Sequence, residues 1–464
     1  MEMGTGNDYD NNIGYISTSL TWIKGLSDKM KDKVIEFVNM TIKLATDDIR
    51  RVIHSIKVGL ALTIVSLFYY FQALYDSFGV SAMWAVMTVV VVFEFSVGAT
   101  IGKGLNRALA TFAAGALGVA AHHLAVKSGN TGEPILLGIF VFLLAASTTF
   151  ARFFPKVKAR YDYGMLIFIL TFCLVSVSGF RNDDILELAH KRLSTILIGG
   201  STCLIVSICV CPVWAGEDLQ NLVSLNIEKL ASFLEGFGEE YFKISEKETT
   251  PKGEKAFLTG YKMVLNSKSN EETLANFAKW EPGHGRFMYR HPWKQYLIVG
   301  SLTRECAYRI DALNGHLSSH LQMHTEVGGK LEDLCTNISL ESAKAMKELA
   351  SAIKTMTMPS SSTSHITNLK EATENLQCLL KSELWKDVQF LQVIPVVTVT
   401  SILTEIVVCV EKIANSVHEL AMTAKFKNKV VGPKLNNITK EKCKAESSKV
   451  GILPDHEVVV TVKD

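Results

Sequence analysis

The sequence carries little charge for its length. Only 20% of its 464 residues are Asp, Glu, Lys or Arg, against roughly 25% in an average soluble domain. No charge excess offsets this: 48 basic residues face 46 acidic ones, a net +2, so the basic surplus of a nucleic-acid binder is missing and no nucleic-acid partner is expected. Soluble-enzyme signatures are missing too. There is no Walker A loop, no HExxH and no GxSxG, so neither an enzyme nor a bound cofactor is expected. Residues 1–20 contain no apolar h-region, which argues against a signal peptide. No CxxC pair occurs among the nine cysteines. None of the nine lies where an outside loop is expected below, so free thiols are expected rather than disulfides or zinc.

What is present is long uncharged runs. Six stretches without Asp, Glu, Lys or Arg span 58–75, 77–93, 108–126, 134–151, 163–180 and 193–216, each 17 to 24 residues long. About 20 apolar residues at 1.5 Å rise cross the ~30 Å hydrocarbon core. The six are therefore predicted as transmembrane helices, and the lipid bilayer is the first expected partner. Arg152, Lys156, Lys158 and Arg160 lie in one loop, Lys103 and Arg107 in another, and Arg50, Arg51 and Lys57 precede the first span. The positive-inside rule places these sites, and both termini, in the cytoplasm. The sites Asn39, Asn337 and Asn437 then lie inside and should carry no glycan.

Charge and composition divide the chain further. Residues 1–49 read as a cytoplasmic N-terminal amphipathic segment. Within 15–45, Trp22, Leu26, Met30, Val34, Phe37 and Ile42 recur at helical spacing among lysines. That helix either lies on the cytoplasmic leaflet or packs on a cytoplasmic domain. Residues 50–215 form the six-helix membrane domain. Residues 216–426 read as an all-helical cytoplasmic domain, with helices over 217–241, 292–320, 330–356 and 368–384, a charged linker at 245–255 and a flexible joint at 359–364. The uncharged run 388–404 holds Gln389, Gln392, Pro395 and three threonines, and is read as a buried cytoplasmic helix rather than a seventh span. Residues 427–464 read as a flexible, basic, solvated tail.

The informative residues are charges at membrane depth. Glu94 falls inside the second span, where a carboxylate needs a partner or a function, and Lys57 and Arg107 are candidate partners. Arg107 begins the third span and Arg192 the sixth, which puts them at opposite ends of the bilayer. Two readings stay open: both side chains snorkel to the interface, or both point into an anion pore. Lys103 and Arg181, at span ends, complete the charged candidates. His122 and His123 are adjacent and diverge on a helix, so they read as interfacial rather than as metal ligands. Gly98 and Gly102 form a GxxxG pair, which marks close packing. Asp183 and Glu187 are four apart, so one helical face presents both carboxylates outside, where Asp76 also lies.

The run Met83-Trp-Ala-Val-Met-Thr-Val-Val-Val-Val-Phe-Glu-Phe-Ser-Val-Gly-Ala-Thr100, followed by Gly104-Leu-Asn-Arg107, resembles the plant aluminium-activated malate transporter family. So do Tyr161-Asp-Tyr-Gly164, Cys211-Pro-Val-Trp-Ala-Gly-Glu-Asp218, Trp280-Glu-Pro282 and His291-Pro-Trp-Lys-Gln-Tyr296. The likeness covers roughly residues 46 to 430. One departure is Asp48-Ile49 before Arg50-Arg51, where the family usually has a proline; this puts the local turn in doubt. The resemblance implies an all-α membrane protein: a homodimeric anion channel of six spans per subunit, with a cytoplasmic helical domain. It implies passive release of malate and other small anions through the plasma membrane, opened by extracellular aluminium. The alternative within the family is a vacuolar or guard-cell channel without aluminium gating. A proton-coupled carboxylate transporter using Glu94 is the rival from another class. The resemblance further implies that Arg107 and Arg192 line the pore, that Asp76, Asp183 and Glu187 form the aluminium site, and that Trp280, Glu281 and Pro282 matter for activity.

Overall fold

The structure is a computed structural model, described here through residues 29–71, 83–179, 185–242, 259–316, 326–359, 362–381 and 390–428. Among these residues it is all helical, with two isolated β-bridges and no strand. Helix α1 covers 29–47. The membrane-type helices are α2 (Ile49–Tyr70), α3 (Met83–Val92), α4 (Val97–Val126), α5 (Gly129–Ala151), α6 (Pro155–Gly179) and α7 (Ile185–Cys209). Then come α8 (Ala215–Phe242), α9 (Tyr261–Leu265), α10 (Lys268–Ala278), α11 (Trp293–Gly315), α12 (Glu326–Thr355), α13 (Ser362–Lys381) and α14 (Phe390–Thr423).

The first group packs around α4, which contacts α5, α6 and α7. Small residues make this close approach possible: Ala114, Ala121 and Gly118 of α4 are buried, and a Cβ on Gly118 would meet Val175 of α6 at 2.8 Å. A second cluster joins α2, α3 and α7 through Ala61, Val65, Val89 and Cys203. Phe112, Phe142, Phe150 and Val177 point outward, each more than 60% exposed, as expected for helices that meet lipid. The chain is a multi-pass membrane protein on this evidence of length and composition.

Three predicted spans have other bounds in the structure. The run 77–93 yields only ten described helical residues, Met83–Val92. The chain breaks over 93–96 and restarts at Ser96, whose hydroxyl accepts from the Ala99 amide at 3.3 Å as an N-cap. Glu94 therefore lies in the break, not inside a span. Helix α4 in turn begins eleven residues before the uncharged run 108–126, so Lys103 and Arg107 are helical. The sixth helix ends at Cys209, ahead of Pro212, and residues 212–214 are not helical.

Helices α8 to α14 build one large core. Helix α12 packs along α8, and α14 along α11. Helix α14 is long and apolar enough to cross a membrane from Ile394 to Thr423. Its packing decides otherwise: Val399, Leu403, Ile406, Val410, Ile413 and Val417 are buried in the same core as Ile227, Leu230 and Ile310. Within the run, the described side chains of Val396, Val399 and Leu403 are thus buried in this core. The serine-rich joint is shorter than expected, because α13 already starts at Ser362. The linker 245–255 lies outside the described residues, as does most of the tail.

The core also holds a charge. Glu271 of α10 is fully buried and accepts from Ser267 Oγ at 2.7 Å, from Asn226 Nδ2 at 3.2 Å and from the Arg304 guanidinium. This network ties α8, α10 and α11 together. Glu271→Ala leaves a largely buried guanidinium without its anion and should cost about 3–5 kcal/mol. The expected result is a clearly lowered unfolding midpoint of the full chain in detergent.

Helix α1 exposes Met30, Val34, Phe37 and Ile42, each more than half accessible. Asp48, at the departure from the family pattern, makes an N-cap instead of a proline turn. Its carboxylate accepts from the Arg50 amide at 3.0 Å, and Arg50 reaches Asp218 of α8 at 2.8 Å.

Candidate anion path and its junction with the second helix group

Arg107 and Arg192 come together in the interior of the membrane bundle. Their relative exposures are 4% and 3%. Arg107 sits about 15 Å into α4 and Arg192 about 10 Å into α7, counting 1.5 Å per residue from each helix start. Opposite ends of the bilayer were expected, because the uncharged runs alone set the ends. The early start of α4 moves Arg107 inward, and its charge now bears on Arg192. Neither guanidinium is ion-paired among the described residues. Arg107 donates to Tyr163 Oη at 2.9 Å, and Arg192 lies over the Trp84 ring, 4.0 Å from its centroid. The Nε of each is buried without a hydrogen-bond partner. Buried donors are almost always satisfied, and these two belong to the small set that are not. Trp84 and Tyr163 were not singled out from the sequence. The signal was present: both lie in the quoted motifs, and an aromatic face is what a desolvated guanidinium stacks on.

The remaining charges have ordinary partners. Glu94 pairs with Lys103 rather than with Lys57 or Arg107. Lys57 is buried and donates to the Cys211 carbonyl at 2.7 Å. His122 approaches Glu133 at 3.7 Å, and no metal-type cluster occurs among the described residues. Glu187 is exposed on α7 and pairs with Lys191 at 2.6 Å. Asp76, Arg181 and Asp183 lie outside the described residues.

A family model described as "Aluminium activated malate transporter" matches residues 42–385. The chain belongs to this family. It is 59% identical over 408 residues to "Aluminum-activated malate transporter 2" of Arabidopsis thaliana, covering 88% of this chain and 81% of that one. It is 53% identical over 455 residues to "Aluminum-activated malate transporter 7" of the same plant, covering 92% and 90%. "Aluminum-activated malate transporter 1" of Triticum aestivum is 42% identical over 439 residues, covering 92% and 94%. The aluminium-activated malate transporter family is one of transporters, not enzymes.

In this family member the Trp280–Pro282 turn is the hinge pin between the two helix groups. Glu281 is 7% exposed, and its carboxylate accepts from the Ala215 amide at 2.6 Å and the Gly216 amide at 3.1 Å. It thus caps α8 from a distant loop. The GxxxG pair packs here, not on another span. A Cβ on Gly98 would run into the Phe277 carbonyl and Glu281 Cγ, and one on Gly102 into the Trp280 ring at 2.9 Å. Burial pushes the Glu281 carboxyl up from its ordinary value, against the pull of the two amides. Nearby, burial pushes the His291 imidazole down to about 4, while its ring meets that of Trp293 in a tilted contact at 4.6 Å.

A histidine with a depressed folded value stabilises the fold above its unfolded value of ~6.5 and loses that contribution as pH falls toward about 4. The loss amounts to roughly 3 kcal/mol at most. Glu281, with its raised value, acts in the opposite direction as pH falls. His291→Phe keeps the ring packing and removes the proton site. The expected result is a flatter fall of the unfolding midpoint between pH 6.5 and 4 than in the wild type.

Proposed function

We propose that the chain is a homodimeric anion channel of the plasma membrane. It conducts malate and other small anions out of the cell and is activated by extracellular aluminium. The observation that carries this reading is Arg107 and Arg192, two buried cations without an ion pair among the described residues and with one unsatisfied donor each. A dianion entering there sheds water and gains fixed charge and hydrogen-bond donors in return. The names of the relatives support malate as the anion and aluminium as the activator. In this reading residues 50–215 are the channel, 216–426 the cytoplasmic domain, and both termini face the cytoplasm. Glu94, which lies outside any described span and is paired with Lys103 of α4, weighs against a proton-coupled transporter built on that carboxylate.

Patch recording with malate inside and aluminium added outside tests the proposal. A current that reverses at the malate equilibrium potential, and grows with aluminium, is expected. Malate current without aluminium activation, together with absence from surface labelling, would favour the vacuolar alternative.

The aluminium site is proposed at Asp76, Asp183 and Glu187. A small trivalent cation prefers charged oxygen ligands. Glu187 sits five residues before Arg192 on α7, so a ligand on one moves the other. Asp76→Asn, Asp183→Asn and Glu187→Gln should each raise the aluminium concentration for half-activation about tenfold or more, one charged ligand being worth at least ~1.4 kcal/mol. Unchanged dose responses in all three would place the site elsewhere. Protons should compete as pH falls toward the carboxylate reference value of ~4.

A further inference from the structure

Between the start of the membrane bundle and the Trp280 turn lies a cavity of about 230 Å³. Water takes about 30 Å³ each in the liquid, so this is room for a small organic anion with part of its hydration. Four cations line it: Lys103 of α4, Lys158 and Arg160 of α6, and Lys279 just beyond α10. Its one lining carboxylate, Asp162, is already held by Arg152 at 2.7 and 3.2 Å. Lys103 is held by Glu94. Among the described residues Lys158, Arg160 and Lys279 have no carboxylate at ion-pair distance. Arg160 lies over the Trp280 ring at 5.2 Å, so its charge faces the cavity from a fixed aromatic plate. Burial, helped by the Arg160 and Lys294 charges, pulls the Lys279 ammonium below its ordinary value. Arg160 and Lys279 repel one another, a cost that a bound dianion removes, while Lys158 adds its charge at the same mouth beside Asp162.

We infer that this cavity binds a small dicarboxylate dianion at the domain junction, as a site separate from Arg107 and Arg192. The bound dianion bridges α6 to the Trp280 turn and so strengthens the contact through which the helical domain holds α4. It also collects the transported anion beside the bundle. The assignment of dicarboxylate, rather than another dianion, rests on the channel reading above.

The test uses the full chain with Lys158→Gln and with the pair Lys158→Gln and Lys279→Gln. Lys158 is exposed and makes no hydrogen bond among the described residues, so its replacement leaves packing untouched. Two readouts are taken: malate-dependent thermal stabilisation in detergent, and current against internal malate concentration. The single variant should need about fivefold more malate for half-effect in both, and the pair more, while current at saturating malate and the reversal potential stay as in wild type. Equal half-effect concentrations in wild type and both variants would overturn the site. If wild type passes no malate current but malate stabilises it and not the pair, the channel reading falls and the site stands. Stabilisation by phosphatidylinositol phosphate vesicles and not by malate would assign the cavity to a lipid headgroup and overturn the proposal.

Discussion

Arg192→Ala and Arg107→Ala should each cut malate current at least about tenfold, while the protein still reaches the membrane. A unit charge 4 Å from another is worth about 4 kcal/mol at an effective dielectric of 20, and a third of that is already tenfold. The two positions should differ in what rescues them. Arg192→Lys keeps the charge but loses the flat face over Trp84, so part of the current should return. Arg107→Lys keeps the charge and a donor within reach of Tyr163, so more should return. Stability separates this role from a structural one. A buried cation with an orphan donor is costly, so Arg107→Met should unfold at the same or higher temperature than wild type. A residue kept for packing would show the reverse. Unchanged current and selectivity in both alanine variants would restore the snorkelling reading.

Glu281→Ala should separate the helical domain from the membrane bundle. The change leaves the Ala215 and Gly216 amides buried and unpaired, at about 1–3 kcal/mol each. It also removes a carboxylate from the positive end of α8. Surface abundance should fall severalfold, and the protein that remains should unfold at lower temperature. Glu281→Gln should be milder. One amide oxygen still accepts, the other position now presents a donor to a donor, and the cost of burying a charge disappears. Gly98→Val attacks the same junction from the membrane side, because its Cβ has no space beside the Phe277 carbonyl. A Glu281→Ala protein that assembles and conducts like wild type would remove the junction from the mechanism.

Much of the fold was legible because burial in lipid and burial in protein both leave patterns in charge. Five uncharged runs became the long helices α2, α4, α5, α6 and α7. The amphipathic stretches after Trp214 became α8, α11, α12 and α13. The motif residues that matter were on the page before any fold was known, including Trp84, Tyr163 and Glu281. Absence of charge did not mark where helices begin. A helix runs through charged residues whenever its backbone bonds continue, which is why α4 starts at Val97 rather than at the edge of the uncharged run. That offset turned two arginines expected at opposite faces of the bilayer into neighbours. Hydropathy was equally silent on α14, whose span-like run is buried by other helices and not by lipid. Only tertiary packing distinguishes the two environments, since both reward the same side chains. The sequence by itself determined the class, the family and the charged candidates. Tertiary structure decided their partners: Lys103 for Glu94, Trp84 for Arg192, and the amides of α8 for Glu281. Those pairings join residues up to 108 positions apart, and local periodicity carries no information at that range.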